Sequence, residues 1–531
     1  MSSLLGHPGV VPPPAATLPT RTGTGPRSGS GGAVGIAERG HELRDPGRQA
    51  RAPYAEALAE LAAQGPLRLS VPGHQGQSGR RPGLAALLGE RALALDVAPL
   101  IEGVDVAGAR PSARALAEDL AAEAWGARRT WFLTGGATQA NLTATLALRS
   151  LGERIIVQRS VHSSVMDGMA LAGLEPVMVM PSIDIRQGMA HGVLPRDLED
   201  TLAAHPDAVA AYVVTPSYFG AVSDVRQLAE VAHHHGVPLV VDEAWGAHFG
   251  FDPGLPDRAL SLGADLVISS THKLAGSLGQ SAMLHLGEGP WADLLEPAVR
   301  RALRTTSSTS ESSLLLASLD LARRDLVVHG REWLSDSIDA ARQVRARLQT
   351  EGRFRVADDV LLADPSVVAL DPLRIVVDTS VAGLSGHEAR DVLFQEHGVH
   401  AEMSTDAVVV LIVGAGVDLD VDRLVAAFAA LPTPSPTVER PTAPALPAPG
   451  ERAMGLREAT LADSVLLAAG DAVGRVSADS LAAYPPGVPN LLPGELITTE
   501  VVEFLQAAAA APNGYVRGAA DPSLAVLRVV R

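Results

Sequence analysis

From Arg128 onward, short apolar or β-branched runs alternate with longer amphipathic stretches. A strand buried on both faces reads as a nearly unbroken apolar run, whereas a helix laid over a sheet carries one apolar stripe. The pattern predicts strands over Thr130–Thr134, Arg154–Gln158, Pro176–Met180, Val209–Val214, Pro238–Asp242 and Leu266–Ser269. Helices are predicted between them, among them Thr138–Leu148, Ser164–Ala172 and Val225–His235. Regular alternation of this kind argues for an α/β fold with a parallel sheet wrapped by helices. Ligands of such sheets bind beyond the carboxyl ends of the strands, so the polar residues just after each run are the place to look for chemistry.

Past Asp320 the pattern changes to a long helical stretch and then to strands over Ser366–Leu370, Arg374–Asp378 and Ala407–Val413, which fits a smaller α+β unit. Leu431 to Gly450 holds seven prolines in twenty residues and is expected to be a semi-rigid linker. In the last unit, the prolines of Tyr484-Pro-Pro-Gly-Val-Pro-Asn-Leu-Leu-Pro-Gly-Glu495 predict a fixed irregular loop rather than helix or central strand. The resulting division is a disordered Pro/Gly/Ser-rich tail over 1–45, an N-terminal segment plus large domain over 46–330, a small α+β domain over 331–430, the linker over 431–450 and a C-terminal domain over 451–531.

Composition narrows the function classes. The 531 residues are 47% hydrophobic and 19% charged, a globular balance, and they exceed what one core usually organises. The longest apolar runs fall well short of the roughly 20 residues a membrane span needs, and the start of the chain lacks the apolar stretch of a secretory signal. No cysteine is present, which excludes thiolate metal sites and disulfides and fits a cytoplasmic enzyme. A net charge of −17 with no long basic block outside the tail argues against nucleic acid.

Four loops after predicted strands carry candidate chemistry. Ser269-Ser-Thr-His-Lys273 puts a lysine at a strand end amid small and hydroxyl residues, where desolvation lowers an amine's pKa and leaves it nucleophilic. Val241-Asp242-Glu-Ala-Trp-Gly-Ala-His248 closes an apolar strand with a carboxylate about thirty residues earlier. Taken alone such an aspartate caps the next helix; with the lysine it suits pyridoxal phosphate, which needs an acid opposite its ring nitrogen. Small Ala244 lets a flat cofactor pack closely. Thr134-Gly-Gly-Ala-Thr-Gln-Ala-Asn141 is a Gly-rich strand-to-helix turn whose backbone amides, from Gly136 onward, and Thr138 hydroxyl can cradle a phosphate. His162, in Val161-His-Ser-Ser164, reads either as a helix-start residue or as a ring that stacks on the cofactor. His233-His-His235 is read as a helix end and not a metal site, since three consecutive helix positions cannot all face one ion. Glu402 is either a surface carboxylate or the partner of a substrate's distal cation.

Five segments, in order, resemble motifs of the Orn/Lys/Arg decarboxylase family. Pro72-Gly-His-Gln-Gly76 is similar to its PGHKG motif, Asp242-Glu-Ala-Trp-Gly-Ala-His248 to DEAHGAH, and Ser270-Thr-His-Lys273 to STHK. Ser308-Thr-Ser-Glu-Ser-Ser-Leu-Leu-Leu-Ala-Ser-Leu-Asp320 resembles TTSPSYLLMASLD, and Tyr484 to Glu495 resembles the YPPGIP…PGE loop. The resemblance implies an aspartate-aminotransferase-like fold with a mostly parallel seven-stranded sheet and a smaller α+β C-terminal domain. It also implies pyridoxal 5'-phosphate as cofactor and decarboxylation of arginine, lysine or ornithine.

Carried over residue by residue, it makes Lys273 the Schiff-base lysine, Asp242 the partner of the pyridine nitrogen and His162 the stacking ring. Ala137, Thr138, Ser270 and His272 bind or border the phosphate, and Lys273 or His272 reprotonates the α-carbon. Thr309 matches a threonine that reaches the phosphate of a neighbouring subunit, so a homodimer with shared sites is implied, and whether dimers build a higher oligomer is left open. The chain departs from the family at Gln75, Ser308 to Ser313, Trp245 and Gly103 to Pro111; Gln75 and Asp105 to Arg110 are expected at the substrate entrance. Two rival readings remain: an aminotransferase or β-eliminating lyase holding the substrate carboxylate with Arg374, and a catalytically silent cofactor-binding regulator.

Overall fold

Residues 46–98, 104, 112–433, 446–484, 487–511 and 514–531 are described by the computed structural model. The N-terminal tail, the stretch 105–110 and most of the proline-rich linker lie outside the described residues.

Seven strands form the central sheet: β1 (Arg129–Leu133), β2 (Arg154–Gln158), β3 (Glu175–Val179), β4 (Ala208–Val214), β5 (Leu239–Asp242), β6 (Leu266–Ser269) and β7 (Ala282–Leu286), in the order β1-β7-β6-β5-β4-β2-β3. The six predicted strands are present within one residue of their expected ends. The exception to the predicted pattern is β7, which runs antiparallel to both β6 and β1. Its sequence Ala-Met-Leu-His-Leu is interrupted by His285, which hides it from a reading of apolar runs. That histidine is fully buried, bonds to Thr130 Oγ1 at 2.8 Å, and is pushed down to a pKa of about 3 by desolvation, so it behaves as a neutral core residue.

The parallel register sets the site. Val214 pairs with Asp242, and Asp242 with Ile268, so β4, β5 and β6 end level with one another. Helices α1 (Gly136–Leu148), α2 (Ser163–Ala172) and α3 (Val225–His234) follow β1, β2 and β4 and start at that same edge. Their buried faces are rich in Ala, Val, Leu and Met and pack on the valines and isoleucines of the sheet.

The 39-residue helix α4 (Ser313–Glu351) leaves the large domain and leads into a second sheet. This sheet contains β8 (Arg355–Val356), β9 (Arg374–Asp378), β10 (Met403–Ser404) and β11 (Val408–Ile412), in the order β8-β9-β11-β10. The strand expected over Ser366–Leu370 is corrected: only Ala369–Leu370 is extended, and it pairs with Ala221–Val222 of the large domain instead of joining the small sheet. Asp364 explains the loss, because its carboxylate accepts from the amide and hydroxyl of Ser366 and holds a turn there.

In the C-terminal unit β12 (Ser464–Ala468) pairs with the last strand, Val526–Val530. Beside that pair, β13 (Leu481–Tyr484), β14 (Pro489–Leu491) and β15 (Tyr515–Arg517) form a sheet in the order β14-β13-β15. The irregular loop expected from Tyr484 to Glu495 is therefore partly wrong. Tyr484 ends a central strand, and Pro489 opens an edge strand, the one place in a sheet where a missing N–H costs no ladder bond.

Candidate active site

The loops after β1, β2, β4, β5 and β6 enclose a cavity of about 520 Å³, to which Ala190, His191 and Gln280 and the C-terminal β13–β15 region add further wall. Gly136, Ala137, Thr138, His162, Asp242, Ala244, Ser270, His272 and Lys273, drawn from four separate loops, all line this one space.

Asp242 is almost completely buried where β5 ends. Its Oδ2 accepts from Asn141 Nδ2 at 3.2 Å and its Oδ1 from the amide of Ala244 at 3.1 Å. Asn141 is held in turn: Nδ2 also donates to Ser164 Oγ at 2.9 Å, and Oδ1 accepts from the Tyr212 hydroxyl at 2.8 Å. Burial and the Asp242 charge push the Tyr212 phenol well up, so it stays a neutral donor. A fixed network of this sort orients the carboxylate. Neither Asn141 nor Tyr212 was singled out from the sequence; the available signal was Asn141 lying one helical turn beyond Thr138, on the same face of α1.

Lys273 sits in a single turn of helix, Thr271–Leu274, directly after β6. Desolvation pushes its amine down to about 8, opposed by Asp242 and Glu402 and reinforced by Arg374. Its Nζ lies 3.7 Å from the centre of the Trp245 ring. The Arg374 guanidinium also stacks on that ring, at 4.1 Å. Arg374 does not line the cavity: it is buried, donates from Nη1 to the Tyr218 carbonyl, and lies 3.9 Å from Asp371. It is not placed as the carboxylate clamp of an aminotransferase.

At the other end of the cavity, α1 starts with Gly135 at its N-cap and no side-chain cap, so its first amides are left for a ligand. Gly136 takes φ +71°, a left-handed conformation that side chains resist, which bends the backbone around this corner. Thr138 is exposed to the cavity and Ser270 forms the facing wall. His272 Nδ1 faces the carbonyl of Ser281 at 2.9 Å, and since a carbonyl only accepts, that nitrogen carries the hydrogen.

His162 caps a helix and also faces the cavity. It is the N-cap of α2, accepting from the Ser164 amide, and its ring lines the cavity. Burial, with Arg517 and Lys273 nearby and Asp242 opposing, lowers its pKa and favours the neutral ring.

The C-terminal unit is fastened to this site by a buried clasp. Arg159, the first residue after β2, makes two parallel 2.8 Å bonds to Glu495, and its Nε donates to the Pro489 carbonyl at 2.7 Å. The other side of the Glu495 carboxylate accepts from the Leu492 amide. Gly494, at φ +91°, permits the turn, since a Cβ there would sit 2.3 Å from the Met454 carbonyl. Both charged side chains are 4% exposed or less. Glu495→Gln therefore strands a buried guanidinium and is expected to cost about 3–5 kcal/mol, read as an earlier chemical-denaturation transition; an unchanged midpoint refutes the clasp.

Other sequence candidates lie elsewhere. Thr309 is exposed in the turn before α4 and does not line the cavity of its own chain. Gln75 likewise lies away from the described cavity lining. Glu402 is exposed and does not line the cavity, although its charge acts on Lys273, Arg374 and Tyr218. The histidine run is split between partners, His233 with Asp265 and His235 with Glu199, each at 2.8 Å.

The family model for the Orn/Lys/Arg decarboxylase major domain matches residues 52–420, and that for its C-terminal domain matches 441–515. This chain belongs to the Orn/Lys/Arg decarboxylase family. An arginine decarboxylase of Bacillus subtilis is 34% identical over 490 residues, covering 91% of this chain and 98% of that protein. An arginine decarboxylase of Halalkalibacterium halodurans is 33% identical with the same coverage. Among solved structures, the lysine decarboxylase of Francisella novicida and the constitutive lysine decarboxylase of E. coli each superpose with a TM-score of 0.74. Identity is 19%, with 91% of this chain and 82% of theirs covered. These structures share the aspartate-aminotransferase-like fold with this member of the family, an enzyme of the decarboxylase class. No helix among the described residues is long and apolar enough to cross a membrane.

Proposed function

We propose that this enzyme removes the α-carboxylate of arginine as carbon dioxide, using pyridoxal 5'-phosphate. The observation that carries the reading is the convergence of a low-pKa amine, a fixed buried carboxylate and an uncapped helix start on one cavity. Arginine is favoured over lysine and ornithine because the arginine decarboxylases above match nearly end to end.

The residues fit the cofactor. Amides of Gly136, Ala137 and Thr138, with the Thr138 and Ser270 hydroxyls, suit the phosphate, which His272 borders; Asp242 suits the protonated ring nitrogen; His162 and Ala244 suit the two ring faces; Lys273 suits the aldehyde carbon. When bound, the cofactor supplies an electron sink for the pair left as the carbon–carbon bond breaks. Asp242 keeps a proton on the facing nitrogen, held in place by Asn141 and Tyr212. Lys273 Nζ is the proton donor to the α-carbon, because His272 commits its Nδ1 hydrogen to the Ser281 carbonyl. The net change is loss of one carbon dioxide and gain of one proton at the α-carbon.

Glu402 is the proposed anchor of the substrate's distal cation, supported by the reach of its charge to the Lys273 amine. Glu402→Gln is expected to raise KM for arginine about tenfold or more, with little change in kcat; an unchanged KM removes it from recognition. The exposed Thr309 supports the further reading that the enzyme is a homodimer in which Thr309 serves the neighbouring subunit's phosphate site. Sedimentation as a monomer would contradict this.

The deciding experiment offers arginine, lysine and ornithine separately to the cofactor-loaded enzyme, following carbon dioxide and identifying the amine by mass spectrometry. Release from arginine alone supports the proposal, release from another of the three reassigns the substrate, and a keto acid without carbon dioxide overturns the reaction.

A further inference from the structure

Among the described residues lining the cavity there is one arginine, and it comes from the C-terminal unit: Arg517, the last residue of β15. Its Nη2 donates to Ser163 Oγ at 2.9 Å, and its Nη1 reaches the Tyr484 hydroxyl at the outer limit of 3.5 Å. No carboxylate among the described residues pairs with it; Asp167 feels its charge only at longer range. The contrast with its neighbours is informative. Arg159 is neutralised by Glu495, and Arg374 is buried against Trp245 and is not among the lining residues. Arg517 thus presents an uncompensated charge to the space that also holds Lys273.

The position separates Arg517 from the phosphate cradle. Ser163 follows His162 in the loop after β2, whereas the cradle lies after β1 and β6, and β2 stands apart from both in the strand order. A guanidinium is a planar fork that matches a carboxylate in two parallel bonds. Of the two ends of a basic amino acid, it attracts the carboxylate and repels the distal cation.

We propose that Arg517 receives the α-carboxylate of the substrate, a role that rests on the decarboxylation reading above. The pairing exists for the amino acid and ends with the reaction, because the carboxylate leaves as carbon dioxide and the amine left behind carries only positive charge. Arg517 therefore favours entry of substrate and departure of product, and the C-terminal unit is a specificity element of the active site.

The test compares wild-type holoenzyme with Arg517→Gln and Arg517→Lys. For the glutamine variant, KM for arginine is expected to rise about ten- to a hundredfold. The inhibition constant of the corresponding amine should stay the same or fall, with cofactor content and denaturation midpoint unchanged, and the lysine variant should recover part of the loss. An unchanged KM overturns the proposal. So does a parallel rise in KM and in the amine's inhibition constant, the mark of a merely structural role, or a loss of cofactor affinity, the mark of a phosphate contact. Binding of arginine and of its amine, read from the cofactor's absorbance change, gives the same comparison without turnover. A wild-type enzyme that binds arginine and releases no carbon dioxide thus overturns the reaction, while the binding ratio still decides the role of Arg517.

Discussion

Replacing Lys273 by alanine lowers decarboxylation by roughly four orders of magnitude or more, the scale of losing an essential nucleophile, and removes the visible absorbance of a lysine-linked cofactor. The physical basis is the position of the amine at the end of β6, where desolvation brings its pKa to about 8. It is then far more often neutral near pH 7 than an ordinary lysine at 10.5. The pH dependence has a definite sign. The neutral amine is the reactive form, so cofactor uptake by cofactor-free wild-type enzyme quickens as pH rises and levels off above about 8. An ordinary lysine would keep accelerating past that point. Borohydride reduction followed by peptide mass mapping should place the cofactor on Lys273. An alanine variant with wild-type turnover and absorbance would refute the assignment.

The second large effect belongs to Asp242. Asp242→Asn keeps the shape and, with one acceptor oxygen in place of two, keeps only one of the bonds from Asn141 and Ala244, and it removes the negative charge proposed to face the ring nitrogen. Electrostatic groups of this type are worth about 10²–10³ in kcat, and a loss of that size is expected with KM little changed and cofactor still bound. Steady-state kinetics with a cofactor titration separates this from a folding defect, which would lower both. Wild-type kcat in the asparagine variant would mean that the ring nitrogen is not held by this carboxylate.

Sequence pattern carried far in this chain wherever strand, loop and helix follow one another directly. β4, β5 and β6 are apolar runs closed by polar residues, so Asp242 and Lys273 announce themselves as strand-end groups, and the Gly-rich turn before α1 announces a helix start. These are local features, set by burial on both faces of the sheet and by which residues tolerate the turn. The strand β7 was not legible, because a buried neutral histidine looks polar in a sequence and becomes a core residue only against Thr130. Pro489 misled in the opposite way, since only the finished sheet shows that it occupies an edge.

What the sequence determined by itself was the α/β class and the placing of Asp242, Lys273 and the Gly-rich turn before α1 at strand ends of one sheet edge. Tertiary structure alone decided which side chains meet across long separations. The Arg159–Glu495 clasp joins residues 336 apart, and the bond from Arg517 to Ser163 spans 354. It also decided that Arg374 is buried against Trp245 without lining the cavity, while Arg517 lines it. The reason is physical: periodicity reports which face of an element is buried, whereas the partner of a buried charge is fixed only when separate elements close around one space and every polar group there must find its match.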